Sequence, residues 1–459
     1  MLLLLIRKEL LDQVRSLRFA MACIICPAVI LSSVFVLTRD YKDAAQDFRT
    51  NTLMHRDQLE EYGFPHELTN NGIMIDKPLN PMKVFFRGVD AEHTQSVRIS
   101  AVSEPEFQAN YDKNPVSLLF PIMDLTFVAG IIMSLLAITF SYDTVSGEKE
   151  LGTLKLLISY SVPRDMVLLS KWIGGYIALI APFLASILLG LTVVLLFPEI
   201  HLQGADWLSL LLSLLGVLVY LSTIYSLGLF VSCRTNLAST SITVLLLIWV
   251  AMVLVMPNIA PHVARMVNPT PSMQSVETEK AELQDEAQRK MREEWQPWIQ
   301  EARQNGTPVE EMVAKYKGLE STMGTTIAEG RAKINEHFRH AMEAQVDLAR
   351  QVAMISPAAI FVITVCDLSG TGVQEQNYFR DLLKRYAGQW SDYAYSKFDA
   401  AIYQGEAKLE IGEYPQFKYE PMTFRDRISE TAISIAIMAI WNLVFLMGAY
   451  LSFLRYDVK

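Results

Sequence analysis

Long apolar runs alternate with charged stretches along this chain, and the runs set the first elements. Six of them reach the roughly 20 residues that an α-helix needs to cross the hydrocarbon of a bilayer. They are Phe19–Leu37, Val116–Phe140, Trp172–Phe197, Trp207–Val231, Ala238–Met256 and Ala432–Leu454. Residues 1–18 precede the first run as MLLLLIRKELLDQVRSLR. Leu2–Leu5, Leu10, Leu11 and Val14 can sink into a membrane interface while Arg7, Lys8, Arg15 and Arg18 stay wet, so an amphipathic elbow helix is predicted. No small-residue cleavage site follows the first run, which is therefore predicted to be an uncleaved span.

The segments between the runs sort by charge. Residues 1–18, 141–171, the turn after the fourth run and 455–459 are short and carry Arg7, Lys8, Lys149, Lys155, Arg164, Lys171, Arg234, Arg455 and Lys459. An excess of Lys and Arg in short loops marks the cytoplasmic side, which puts both termini inside. Two long insertions fall on the other side, 38–115 and 257–429. The first contains NPMKVFFRGVD and SVRISAV, whose alternation predicts short strands. In the second, Val276–Ile355 is rich in charged and helix-forming residues and is broken at Asn305-Gly306-Thr307-Pro308, predicting an antiparallel helical hairpin. Ile327, Ile334, Phe338, Ala341, Leu348 and Val352 make one apolar stripe, expected to pack on the first helix of the hairpin. Pro357–Gly372 is apolar but too short to span, predicting a helix at the outer membrane surface or packed under the outer domain. Gln374–Tyr403, with Tyr378, Leu382, Leu383, Tyr386 and Trp390, reads as a third amphipathic helix. The fold class is all-α polytopic membrane protein. It comprises six transmembrane helices, the elbow helix, a cytoplasmic loop helix and a large, mainly helical extracytoplasmic domain with a few short strands.

Composition narrows the function. The chain is 51% hydrophobic and only 19% charged, unlike a soluble domain of 459 residues, and its net charge of −9 without a basic stripe argues against nucleic acid. Cys23, Cys26, Cys233 and Cys366 are too scattered for a disulfide framework, and Cys23 and Cys26 read as small apolar filling. No GxxxxGK[ST], HExxH or GxSxG pattern occurs, so the chain shows neither a nucleotide site nor a hydrolytic centre of its own.

One segment remains unexplained by spanning: Ser141–Arg164, SYDTVSGEKELGTLKLLISYSVPR, between the second and third runs. Asp143, Glu148 and Glu150 are acidic, Leu151, Leu154, Leu157 and Ile158 recur at helical spacing, and Gly147 and Gly152 permit tight turns. The pattern alone fits equally a helix gripped by a soluble partner and an ordinary interfacial loop helix. The stretch resembles the loop between the second and third spans in permease subunits of ABC type-2 exporters. The match is carried by Glu148, Glu150, Gly152, Thr153, Leu154, Leu156, Leu157, Ser159, Pro163 and Arg164. Asn80–Asp90 and Ile355–Gly372 look like segments of a subgroup with enlarged ectodomains, related to permeases of multi-copper enzyme maturation. The size of Val276–Ile355 departs from smaller members of the family.

The resemblance implies that Tyr142–Leu157 is a coupling helix docking on a separate cytoplasmic ATPase subunit, which would hold ATP and magnesium, with no cofactor on this chain. Asp143, Glu148, Glu150, Gly152, Thr153, Leu154, Leu157 and Arg164 become the docking residues. Glu148 and Glu150 would pair with basic residues of the partner, and Leu154 and Leu157 would fill its groove. Two permease copies, identical or related, and two ATPases would form an exporter in a bacterial plasma membrane. The alternative is a mechanotransmission subunit that moves its ectodomain to regulate an extracytoplasmic partner without a transported substrate. A receptor ranks below both, since no cytoplasmic signalling domain is visible.

Asp124, near the outer end of the second run, and Asn442, in the sixth, are candidate intramembrane polar sites, with helix capping and helix packing as the alternatives. All seven histidines fall outside on this topology. His337 and His340 lie beside Glu336 and Glu343 on one helix, a weak metal-binding candidate that chance placement on a charged helix explains better.

Overall fold

The helices outrun the apolar stretches that predict them. The computed structural model describes residues 1–62, 64–91, 96–101, 105–107, 123–159, 162–404 and 414–456. His93, residues 116–122 of the expected second span, and the tail from 457 lie outside the described residues. The elbow is helix α1 (Leu2–Val14). Ser16 then caps α2 (Leu17–Glu60) by accepting a hydrogen bond from the Phe19 amide at 3.3 Å. The apolar run covers only the first half of α2. With no Gly or Pro between residues 38 and 60, nothing stops the helix, which reaches about 66 Å at 1.5 Å per residue. The first insertion therefore begins as helix.

Beyond α2 come α3 (Pro65–Asn70) and an antiparallel sheet in the order β1 (Ile73–Asp76), β2 (Ser96–Ile99), β3 (Glu106–Phe107). SVRI is a strand as expected; NPMKVFFRGVD is not. Asn80 accepts from the Met82 amide at 2.9 Å, Pro81 fixes the first residue of a turn, and the segment coils into 3₁₀ turns over Pro81–Val84 and Gly88–Ala91. Those turns bury Met82, Val84, Phe85 and Phe86 together, which an alternating strand would not.

The second span, α4, runs through Leu125–Phe127, a π-helical stretch Val128–Met133 and Ser134–Ser141. Short α5 (Ser146–Glu150) and α6 (Thr153–Ser159) follow, then the spans α7 (Arg164–Leu195) and α8 (Gly204–Arg234). Helix α9 (Ala238–Val267) contains a second π-helical stretch, Val250–Val255. Further on are α12 (Pro357–Ser369), α13 (Val373–Gln404) and the last span α14 (Phe424–Leu454). Among the described residues six helices are long and apolar enough to cross a membrane, with almost no strand, so the all-α polytopic class holds.

Both π-helical stretches find donors inside the bundle. Gly130 O accepts from Ser134 Oγ at 2.6 Å and from Tyr220 OH at 3.0 Å, and Trp249 Nε1 donates to Ser134 Oγ at 2.8 Å. Met252 O accepts from Ser356 Oγ. Helix α12 is buried against α8 and α14, with Phe361 stacked on Tyr220 at 4.4 Å. Gly370 ends it in the left-handed region, φ +69°, where a side chain would be strained. On α13, Phe379, Leu383, Tyr386 and Trp390 form the face that meets Leu59, Leu68, Ile73, Ile75, Val97 and Ile99 in a core of their own. Tyr378 and Leu382 sit half-buried beside that face.

The chain divides into two units, Met1–Val253 with Ser356–Lys459, and Leu254–Ile355. The second is the helical hairpin, α10 (Met273–Gln304) and α11 (Val309–Ala353), broken at residues 305–308 as expected. Arg331 pairs with Gln284 and Lys315 with Glu294, so the helices are antiparallel. The stripe from Ile327 to Val352 is half-buried. At the base of the hairpin Asn268 Nδ2 donates to Ala344 O at 3.2 Å, and Gln345 Nε2 returns a bond to Asn268 O at 2.8 Å.

Candidate functional site

The segment between α4 and α7 is tied to α2, α7, α8, α9 and α14 by hydrogen bonds and ion pairs. Ser232 Oγ of α8 accepts from the Val145 and Ser146 amides at 3.0 Å each, satisfying donors at the start of α5. Lys149 Nζ reaches the other way, donating to Cys233 O at 2.5 Å and Thr235 O at 3.0 Å, where the last carbonyls of α8 lack helical partners. Glu150 Oε2 accepts from the Ala238 amide at 3.0 Å, a carboxylate on the positive end of α9.

Two ion pairs anchor the rest. Arg18 grips Asp143 with both guanidinium nitrogens, at 2.8 and 2.5 Å, while also donating to Thr139 O and Tyr142 OH. Lys171, 3% exposed, lies 2.7 Å from Glu148 and 3.2 Å from Glu9 of α1. At the far end of the segment Arg164 Nη1 donates to Leu454 O at 2.8 Å and Tyr456 O at 3.1 Å, closing the end of α14.

These partners hold most of the expected docking residues within the chain. Asp143, Glu148 and Arg164 are engaged within the chain, and Glu150 caps a neighbouring helix from an exposed position. Leu154 is fully buried among Val145, Val167, Leu168, Leu229, Cys233, Ala449 and Phe453, and Leu157 packs half-buried against the same cluster. Expected as groove fillers for a partner, both pack inside this chain. Gly152, φ +75°, makes the left-handed turn between α5 and α6, with open space where a side chain would point, and Thr153 beside it is exposed. The turn displays two residues that sequence reasoning left out of the docking set: Leu151, 79% exposed, and Leu156, 65% exposed. Spacing could have flagged Leu156, two residues from the buried Leu154 and off its helical face, whereas Leu151 shares Leu154's spacing and is turned outward only by the break at Gly152.

The other candidates lie away from this segment. Asp124 is buried and caps the start of α4, Oδ1 accepting from the Phe127 amide at 2.8 Å and Oδ2 from the Arg87 amide at 3.0 Å. Of its two readings the cap is what the geometry displays. Asn442 Nδ2 donates to Ser222 Oγ at 2.6 Å, and Asn442 Oδ1 accepts from Ser226 Oγ at 3.4 Å; Ser226 in turn accepts from Trp172 Nε1 at 2.9 Å. This chain of bonds joins α7, α8 and α14 as interhelical packing. His337 and His340 are exposed on α11, with His340 3.6 Å from both Glu336 and Glu343. Among the described residues no group of three or more His, Cys, Asp or Glu side chains is arranged to hold a metal ion.

Residues 3–458 match the family model described as ABC-2 family transporter protein. Over 125 residues, 26% of this chain, the sequence is 33% identical to a protein of Pseudomonas aeruginosa named "Probable ABC transporter permease protein NosY". Over 87 residues, 19% of the chain, it is 34% identical to a protein of the same name from Stutzerimonas stutzeri. The matched stretches cover 46% and 32% of those relatives, under half of either.

Proposed function

The chain belongs to the ABC-2 family of transporter proteins, a membrane permease subunit rather than the catalytic ATPase, and from that premise we propose that it couples ATP hydrolysis in a separate subunit to export. In this reading the face built from α1, α5, α6 and the end of α14 is cytoplasmic, in the plasma membrane of a bacterium. ATP and magnesium reside in the partner, and two permease copies face two ATPases.

One observation supports docking at this face above the rest. A loop tied to α2, α7, α8 and α9 by Arg18, Lys171, Ser232, Lys149 and Glu150 has little freedom to deform, yet it leaves Leu151 and Leu156 uncovered. A push on those leucines would reach several spans as rigid-body motion instead of being lost in the loop. Exposed leucines on such a turn fit the apolar centre of a protein interface, where a few buried anchors carry most of the affinity.

Replacing both with Asp tests this. The L151D/L156D permease is expected to fold and insert normally but to lose copurification with the cytoplasmic ATPase subunit coexpressed with it. Full retention of the complex and of its ATP turnover would refute the docking assignment.

A further inference from the structure

We propose that Lys171 is a positioning residue that joins the elbow helix α1 to the loop, so that α1, the start of α7, α5 and the α6 packed on them through Leu154 shift as one body. The proposal rests on the docking reading only for what displaces the loop. Lys171 comes from α7, Glu148 from α5 and Glu9 from α1, and the ammonium is buried between the two carboxylates. Glu148 depends on it: its second oxygen, Oε2, is buried with no hydrogen-bond partner among the described residues. Glu9 is delivered to Lys171 by close helix packing. Gly174, one turn along α7, lets α1 approach so near that a methyl group there would lie 2.8 Å from Glu9 Cβ.

The loop has other ties, through Arg18, Ser232, Lys149 and Glu150, to α2, α8 and α9. Helix α1 does not. Among the described residues the Lys171–Glu9 pair is the one side-chain ion pair or hydrogen bond joining α1 to another helix. The rest of its attachment is apolar packing, and Leu3 and Leu4 are 79% and 71% exposed. Apolar contacts allow sliding. A buried ammonium shared by two carboxylates does not, because moving either acid away strands a charge in a low-dielectric site. Loop displacement therefore reaches α1 through Lys171.

Spin labels at Arg7 and Ser159, in a background where exposed Cys23 is replaced by Ser, read this coupling as a distance distribution in lipid nanodiscs. The wild-type distribution is expected to be narrow and to keep its position when nucleotide is trapped on the bound ATPase. The neutral variant E9Q/K171M/E148Q removes the charges together, so it is expected to melt within a few degrees of wild type. Its distribution should nevertheless broaden about twofold. The exchange K171E/E148K keeps one cation between two carboxylates and is expected to restore the narrow distribution, which a packing role alone would not do. The proposal is overturned if the neutral variant stays as narrow as wild type, if the exchange remains broad, or if the wild-type distance shifts on trapping. Failure of the ATPase to copurify would defeat the docking reading, while the comparison of widths in the permease alone would still decide the role of Lys171.

Discussion

Leu154 and Leu156, two residues apart on one short helix, have opposite surroundings, and the difference assigns their roles. Leu154→Ala would empty a filled site in the bundle and is expected to cost about 2–5 kcal/mol, read as a lower Tm. Leu156→Ala should change stability by less than about 0.5 kcal/mol and act only on capture of the ATPase. The acids need similar care. Glu148→Lys would set two ammonium groups against each other beside Glu9, so a lost complex in that variant would report misfolding as readily as failed docking. Asp124 belongs with the structural residues. Asp124→Ala leaves the Phe127 and Arg87 amides without their acceptor and is expected to cost about 1–3 kcal/mol. Thermal melting and ATP turnover per folded complex separate that loss from a transport defect. The sequence pattern marked these side chains as special because their types and spacing are local. Their partners are not local: Arg18 lies 125 residues from Asp143 and Glu150 lies 88 residues from Ala238.

At the level of elements, hydrophobic runs located the six single helices that, among the described residues, are long and apolar enough to cross a membrane, because about 20 apolar residues have few other uses. They did not locate the ends. Helix α2 runs on to Glu60 through polar sequence, since helix termination depends on breakers and caps rather than on hydropathy. NPMKVFFRGVD failed as a strand because Asn80 and Pro81 start a turn, a local preference that outweighs the alternation following it. The two π-helical stretches left no trace in periodicity. Their carbonyls are met by Tyr220 and Ser356 from other helices, together with Ser134 from the next turn of α4 itself. Trp249→Phe keeps an aromatic side chain, though a smaller one, and deletes the donor to Ser134. It is expected to destabilise by about 1 kcal/mol, and infrared or hydrogen-exchange measurements on α4 should register a change at Gly130 and Ile131.

For the molecule as a whole, the hairpin was legible because it needs only helical period and a break at residues 305–308. The tertiary role of Pro357–Ser369 was half legible: its apolar run predicted a short helix, but only packing against α8 and α14 gives it a place, and with α13 it forms a pair bent by 41° that together is long and apolar enough to cross a membrane. The reciprocal amide bonds at the base of the hairpin have a practical corollary. Asn268 and the Ala344–Gln345 pair are already side by side, so the polypeptide between them leaves and returns at one point. Such a stretch behaves as a detachable cassette. Splicing out residues 270–343 and bridging the gap with a short Gly-Ser linker is expected to leave membrane insertion and melting of the bundle intact, because closing a short loop costs little more than closing the native one. Whatever activity disappears with the cassette is then what the hairpin itself contributes.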